Sequence, residues 1–280
     1  MNLRNYIPES ELRQLYSNEH WTIQELAEHF QVAETTIRRR MDELGIPTRA
    51  RGPDIGAHHN FRFVDPIWSP ALAYAVGIIA TDGNLSPDGR HLCIRSADYE
   101  LLETVKECLG LDNQITKTRR LLSVYYSLQW GDRAFYLWLE SIGLMPAKSL
   151  ILGALTLPDN FFPDFLRGVI DGDGCIRVYQ DRWNTFKNPK YVYERVYVTI
   201  ASGSFPFLAW IQGQTTRLCG VKGAIIKRAK KLPHYAQLWE LKFAKKDSLT
   251  LLPWIYYGDD LPCLERKHIL ALRALGLADS

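Results

Sequence analysis

The sequence predicts an α+β protein in which one α-β-β-α-β-β-α unit occurs twice, forming a pseudo-symmetric body preceded by a small all-α module. Three observations carry this expectation. An apolar run that stops at Asp-Gly appears in ALAYAVGIIATDGNL and again in DFLRGVIDGDGCI. The strand and helix patterns after each run come in the same order. Ahead of both, residues 10–48 have a helical period broken by tight turns. The boundaries expected are 1–50 for the helical module, 51–68 for a basic linker, 69–160 for the first unit and 161–280 for the second, with a hairpin arm inserted near 177–195.

A length of 280 residues, 46% hydrophobic, 12% aromatic and 23% charged, can bury a sizeable core and excludes a disordered or collagenous chain. The formal charge of +3, from 34 Lys and Arg against 31 Asp and Glu, does not mark a nucleic-acid binder, so the placement of charge has to decide. The longest apolar stretch, Ala71 to Ala80, is about half of what spans a bilayer, and the amino terminus MNLRNYIPES has no hydrophobic signal region. No membrane partner is expected. The location expected is intracellular: the cytoplasm or nucleoid of a prokaryote, or an organelle if the gene is organellar. Cys93, Cys108, Cys175, Cys219 and Cys263 are widely spaced with no CxxC pair, which argues for buried free thiols over a disulfide framework or a zinc knuckle.

In the amino-terminal module Thr22 and Glu25 have capping-box spacing, and Ile23, Leu26, Ala27 and Phe30 line one face of a short helix. Leu12, Leu15 and Tyr16 from a preceding helix supply partners for that face. After a turn beginning at Val32, AETTIRRRMDELG places Ile37, Met41 and Leu44 on an apolar stripe, and Gly45 and Pro47 stop it. Three short helices with a basic third one describe a helix-turn-helix, whose last helix enters the major groove. Thr35, Thr36, Arg38, Arg39 and Arg40 lie off the stripe, within reach of bases or phosphates. A small helical cap with solvated arginines is the alternative, and Ala33 is a poor N-cap. The following TRARGPDIGAHHNFRF has no period and reads as a linker, where Arg49, Arg51 and Arg62 would suit a phosphate backbone or minor groove. His58 and His59 have no acidic or Cys cluster nearby and are not expected to bind metal.

Each repeated run places an acid at the carboxyl end of a helix, Asp82 in the first and Asp173 in the second. Ala73, Gly77 and Thr81 recur at i, i+4, as do Gly168 and Gly172, leaving narrow faces along which the helices can approach and bring Asp82 and Asp173 together. Such a pair is unfavourable: like charges raise one another's pKa and a helix carboxyl terminus repels an anion, so a divalent cation is the ordinary solution. A helix stop would explain either Asp-Gly alone, but not the coincidence of two. After the first run, HLCIRSADYELLETVKECLGL reads as a strand, a start capped by Asp98 and a helix; after the second, RVYVTIASGSFPFLAWIQGQTTRLCGV gives a strand, a Ser204 cap and a helix. Next, ITKTRRLLSVYYSLQWGDRAFYLWLESIGL and IIKRAKKLPHYAQLWELKFAKKDSLTLLPWIYYG each add a basic strand, a turn, an alternating strand and another helix. Alternation at Val124, Tyr126 and Leu128, or Leu238, Glu240 and Lys242, leaves one sheet face for solvent or polymer.

Positive charge is concentrated on these strands. KGAIIKRAKK has Lys222, Lys227, Arg228, Lys230 and Lys231 with no acid, and its counterpart carries Lys117, Arg119 and Arg120. Between Asp173 and Val196, IRVYQDRWNTFKNPKYVYERVY interleaves Arg177, Arg182, Lys187, Lys190 and Arg195 with Tyr and Trp. A two-stranded hairpin fits it, able to enter a major groove with basic side chains on phosphates. An amphipathic hairpin covering apolar surface is the alternative.

On these residues the chain resembles the LAGLIDADG homing endonucleases of the two-motif, single-chain type. LRGVIDGDG at 166–174 is close to the motif, and AVGIIATDG at 75–83 is looser but keeps the glycine and the Asp-Gly. IGLMPAKS at 142–149, YYSLQW and the closing LKFAKKDSLTLLPWIYYGDDLPCLERK at 241–267 extend a likeness that covers about residues 65–275. The resemblance implies a DNA-binding saddle built from the two units, with Asp82 and Asp173 as metal-binding catalytic acids and Lys148 and Lys267 as catalytic basic residues. Ala80 stands where Asp171 stands in the second motif, at a position tolerant in the family. The resemblance further implies Mg2+, with Mn2+ or Ca2+ able to occupy the same sites, and a monomer that acts on double-stranded DNA. Its product would be a staggered double-strand break in a long asymmetric target, as for a mobile intron or a free-standing element. Host intron RNA is a second partner to consider. The ends MNLRN and GLADS lack the nucleophile and the His-Asn of a self-splicing intein, so an intein is not expected. The competing class is a noncatalytic DNA-binding regulator or intron-RNA folding factor on the same scaffold, which would need no Asp pair. The His cluster of an HNH nuclease has no evident match.

Overall fold

The structure is a computed structural model and describes residues 7–18, 21–48, 66–120, 123–230, 232 and 234–277, with residue 120 described in its backbone only. The chain divides into two compact units between Phe61 and Arg62. In the smaller unit a short helix α1 (Glu9–Arg13) runs into a π-helical turn, Gln14–Asn18, followed by α2 (Ile23–His29) and α3 (Glu34–Glu43). The expected capping box closes in both directions: the Thr22 hydroxyl accepts from Glu25 N at 3.1 Å, and the Glu25 carboxylate accepts from Thr22 N at 2.7 Å. α3 starts at Ala33 with no side-chain cap, and Gly45 follows it at φ +61°, a left-handed turn that glycine makes without a Cβ clash. Leu12, Tyr16, Leu26, Ala27, Ile37 and Met41 are buried in one small core of their own.

The larger unit repeats its element order. First come α4 (Pro70–Thr81), β1 (Gly83–Leu85), β2 (His91–Ser96), α5 (Tyr99–Cys108), β3 (Ile115–Arg120), β4 (Ser123–Gly131) and α6 (Arg133–Ser141). Then come α7 (Phe162–Asp173), β5 (Gly174–Asp181), β6 (Tyr193–Ser202), α8 (Phe205–Cys219), β7 (Ala224–Lys227), β8 (Trp239–Phe243) and α9 (Lys245–Ile255). The α+β class and the duplicated αββαββα order are those the sequence predicts. A last helix, α10 (Glu265–Ala274), follows the second repeat.

Each repeat forms a four-stranded antiparallel sheet with the same order, β1-β2-β4-β3 and β5-β6-β8-β7. Alternation sorts the faces: Leu128 and Trp130 of β4 are buried against helices while Tyr125 and Gln129 are exposed. On β8, Glu240 lies on the face opposite Leu241 yet is also buried, because Arg228 covers it with an ion pair at 2.6 Å. The two repeats share one core, with α4 packed against α7 at its centre. Burial of every residue from Leu72 to Ala80 explains why this helix is apolar all round instead of amphipathic. Ser69 caps α4 by accepting from Leu72 N at 3.1 Å, and Ser204 caps α8 by accepting from Phe207 N at 3.4 Å. Asp98 occupies the N-cap of α5 but leaves it uncapped, its carboxylate turning instead to Arg266 at 2.7 Å. All five cysteines are free and half-buried.

Candidate active site and nucleic-acid interface

α4 and α7 meet along small residues. A Cβ on Gly77 would fall against the Phe165 carbonyl oxygen and 2.9 Å from Val169 N; one on Gly168 would fall against the Tyr74 carbonyl. Both obstacles are backbone, which cannot turn aside as a side chain would. Ala73 is fully buried on the same face. Gly172 stands at the far end, where a Cβ would come within 2.5 Å of the Asp82 carboxylate. The small-residue faces therefore bring Asp82, the C-cap of α4, beside the last turn of α7, which ends in Asp173.

The electrostatic cost of that meeting is visible. Desolvation raises the Asp82 carboxyl above its ordinary range, against a hydrogen bond from the Thr81 hydroxyl at 3.1 Å. Asp173 keeps an exposed side, yet its carboxyl, set at the crowded meeting of the helices, is pushed up to about 6, by desolvation and then by the charge of Asp82. The two acids open on different clefts. One, of about 360 Å³, is lined by Asp82, Asn84, Cys93 and Arg95; the other, of about 160 Å³, includes Asp173, Thr81, Lys148 and Ser202. Asn84, Cys93 and Arg95 escape a motif search, although their place on β1 and β2 immediately after the Asp-Gly stop is a signal that could have found them.

Lys148 and Lys267 are buried, at 5% and 4% exposure, and they are not equivalent. Lys267 donates to the carbonyls of Ile170 at 2.6 Å, Asp171 at 2.7 Å and Gly174 at 2.8 Å. An ammonium has three donors, so Lys267 is saturated at the carboxyl end of α7, where it joins the Gly174 N–H on the Ile170 carbonyl and adds bonds to two more. Among the described residues Lys148 has one such acceptor, the Gly83 carbonyl, and keeps two donors. Burial pulls the Lys148 ammonium down to about 8, opposed by the charges of Asp82 and Asp173.

Sequence reasoning missed the polar residues that fasten α7. Arg167 is fully buried, paired with Asp164 at 2.7 Å and donating to the carbonyls of Pro262 at 2.8 Å and Ile255 at 2.6 Å. Asp171 accepts from the Tyr74 hydroxyl of α4 at 2.9 Å and from Leu264 N, at the start of α10, at 2.7 Å. Its other oxygen is buried without a partner, and desolvation pushes the carboxyl up to about 6. An Arg and an Asp inside an otherwise apolar helical run were the available signal.

The basic residues expected to meet DNA fall mostly on exposed positions. Lys117 and Arg119 of β3, Arg177 of β5, Lys222, Lys227, Arg228 and Lys230 around β7, and Arg182, Lys187 and Lys190 between β5 and β6 are all exposed. In α3, Thr35, Arg38 and Arg39 are exposed and Thr36 and Arg40 half-buried. Arg40 reaches inward, donating to the Ile7 carbonyl at 3.4 Å and to Glu43 at 3.2 Å. Arg49, Arg51, His58, His59, Arg62 and Lys231 lie outside the described residues, as does the side chain of Arg120. Among the described residues no group of three or more His, Cys, Asp or Glu side chains could hold a metal ion, and no helix is long and apolar enough to cross a membrane.

Residues 12–52 match the DeoR-like helix-turn-helix domain. No curated protein matches the sequence. The fold is similar to that of full-length DUF199/WhiA from Thermatoga maritima, with a TM-score of 0.45 and 16% identity over 77% of this chain and 64% of that one, so this chain spans less than two thirds of that protein. It is also similar to the I-LtrWI LAGLIDADG homing endonuclease bound to target DNA, with a TM-score of 0.46 and 11% identity over 73% of this chain and 89% of that one. For the I-SmaMI LAGLIDADG homing endonuclease bound to cleaved DNA the TM-score is 0.47 and the identity 12%, over 75% of this chain and 88% of that one.

Proposed function

We propose that the chain is a site-specific, divalent-metal-dependent DNA endonuclease of the LAGLIDADG type, making a staggered double-strand break in a long asymmetric target. The observation that carries this reading is the convergence of Asp82 and Asp173 at the ends of two helices whose backbones meet so closely at Gly77, Gly168 and Gly172 that no Cβ fits between them. Nothing in the fold needs two repelling carboxylates there, and a cation between or beside them relieves the repulsion.

The donor set fits Mg2+. That ion is usually held by one or two carboxylates with water and substrate phosphate completing its shell, and Asp82 and Asp173 offer two carboxylates at the helix ends. When bound, the cation supplies charge neutralisation at the phosphate and a lower pKa for the attacking water, and Mn2+ or Ca2+ would take the same donors.

The chain's own residues do the rest. Asp82 and Asp173 each present a carboxylate to a separate cleft, which suits one cut per strand. Lys148 lines the Asp173 cleft with two donors to spare, suited to a phosphate oxygen or to charge developing during cleavage. Lys267 has none to spare and serves by holding the end of α7 that carries Asp173. The exposed basic strands and the β5–β6 hairpin provide phosphate contacts, and α3 of the smaller unit adds a second DNA-reading element. Two repeats alike in topology but unlike in side chains let one chain, as a monomer, address a site without symmetry.

The test is Mg2+-dependent cleavage of the host sequence flanking the gene, rejoined without the reading frame. Wild type is expected to cut both strands, whereas Asp82→Asn and Asp173→Asn bind and do not cut. Tight binding by wild type with no cleavage in Mg2+ or Mn2+ would favour a regulator, and retention of intron RNA in place of DNA would favour an RNA-folding role.

A further inference from the structure

The connection between the first two strands differs sharply between the repeats. β1 and β2 are joined by residues 86–90, a tight turn in which Asp88 accepts from Arg90 N at 3.1 Å and His91 N at 3.0 Å. β5 and β6 are joined by 182–192, and at this tip Trp183 is 82% and Phe186 74% exposed, the highest values among the described aromatic residues. Both rings stand in water at the end of one hairpin, outside the core, where they are accessible to a partner.

The tip is held by its own bonds. Asp181 accepts from Trp183 N and from Arg195 Nε, both at 3.0 Å, fixing the base of the loop. Thr185 N and Lys187 N donate to the carbonyls of Arg182 and Asn184 at 3.1 and 3.0 Å, and the Asn188 side chain accepts from Lys190 N at 2.9 Å. These turns hold the backbone from which the two exposed rings project. Within the tip every charged side chain is basic: Arg182, Lys187 and Lys190 are exposed, no acid lies between 182 and 192, Asp181 at the base is paired with Arg195, and Lys187 Nζ sits 5.5 Å from the centre of the Phe186 ring.

We infer that this tip is an aromatic wedge for duplex DNA: Arg182, Lys187 and Lys190 hold phosphates while Trp183 and Phe186 enter the groove and stack on bases at a distorted step of the half-site met by the second repeat. Three exposed basic side chains beside the rings suit a polyanion, and flat rings stack on any base because every base has a π-face. Kinking by apolar side chains is an established way to wrap more DNA onto a protein surface. The inference rests on the nuclease reading for its ligand, and not for its chemistry.

The probe is the set of duplexes that the full-length wild type retains from a pool with a randomised core. Trp183→Ala and Phe186→Ala should each bind them about tenfold more weakly, while Trp183→Phe stays near wild type because a ring remains to stack. Adding the duplex should quench tryptophan emission in wild type more than in Trp183→Phe. Equal binding by all four proteins would overturn the wedge and leave the nuclease reading standing, and Trp183→Phe as weak as Trp183→Ala would overturn stacking. Failure of the wild type to retain any duplex would remove both readings.

Discussion

At the scale of single residues, Lys148 and Lys267 occupy matching places in the family resemblance and unlike places in the structure. Lys267 spends its donors on three carbonyls, Lys148 on one. Lys148→Met should therefore lower cleavage by about 10²–10³, as loss of a charge-stabilising donor does, with DNA binding retained. Lys267→Met should first lower stability, seen as an earlier urea midpoint, because it removes three buried hydrogen bonds to the carbonyls of Ile170, Asp171 and Gly174 at the junction of α7 and β5. Equal stability for the two variants would contradict the division. The acids make a pH prediction. Asp171 and Asp173 have carboxyls raised from 3.8 to about 6, and Asp82 is raised as well. Each binds a proton more readily folded than unfolded, so stability is fullest below the unfolded pKa and is lost as pH rises through the folded one. Asp88, Asp159 and Asp181 are shifted downward and act only at more acid pH. The metal-free protein should accordingly melt higher near about pH 5 than near about pH 7, with the difference reduced in Asp173→Asn. A flat profile in thermal melts with chelator would count against the raised carboxyls.

At the scale of elements, the contact of α4 with α7 sets the distance between the acids. Gly168→Val would drive a branched side chain into the Tyr74 carbonyl, so the helices must part or the fold must yield. A loss of about 3 kcal/mol is expected in urea denaturation, with cleavage lost out of proportion to any loss of folded protein. Unchanged stability would mean that the helices do not meet at this glycine. The small-residue spacing was legible because it is periodic within each helix. So was the Thr22 capping box, whose two bonds span three residues. The Asp98 cap misled because its carboxylate has a stronger partner in Arg266, 168 residues away, which no local pattern shows.

At the scale of the molecule, the two units have separate cores, and the proposed function assigns cleavage to the larger and additional DNA contact to the smaller. If the proposed function holds, a chain beginning at Arg62 should keep its fold and cut DNA in Mg2+ while binding it more weakly. Its affinity should also fall less steeply with salt, by about 0.9 in the logarithmic slope for each phosphate contact removed. An unchanged slope would show that α3 and the linker make no phosphate contacts.

The repeat, the element order, the helix ends at Asp82 and Asp173 and the small faces of α4 and α7 were all legible in the chain, since periodicity, caps and duplication are written in neighbouring residues. The tertiary structure alone decided what α7 is fastened to. Tyr74 to Asp171 spans 97 positions, Lys267 to Asp171 spans 96, and Arg167 to Pro262 spans 95. A buried donor takes whichever acceptor packing brings to it, and over such separations that choice belongs to the folded chain.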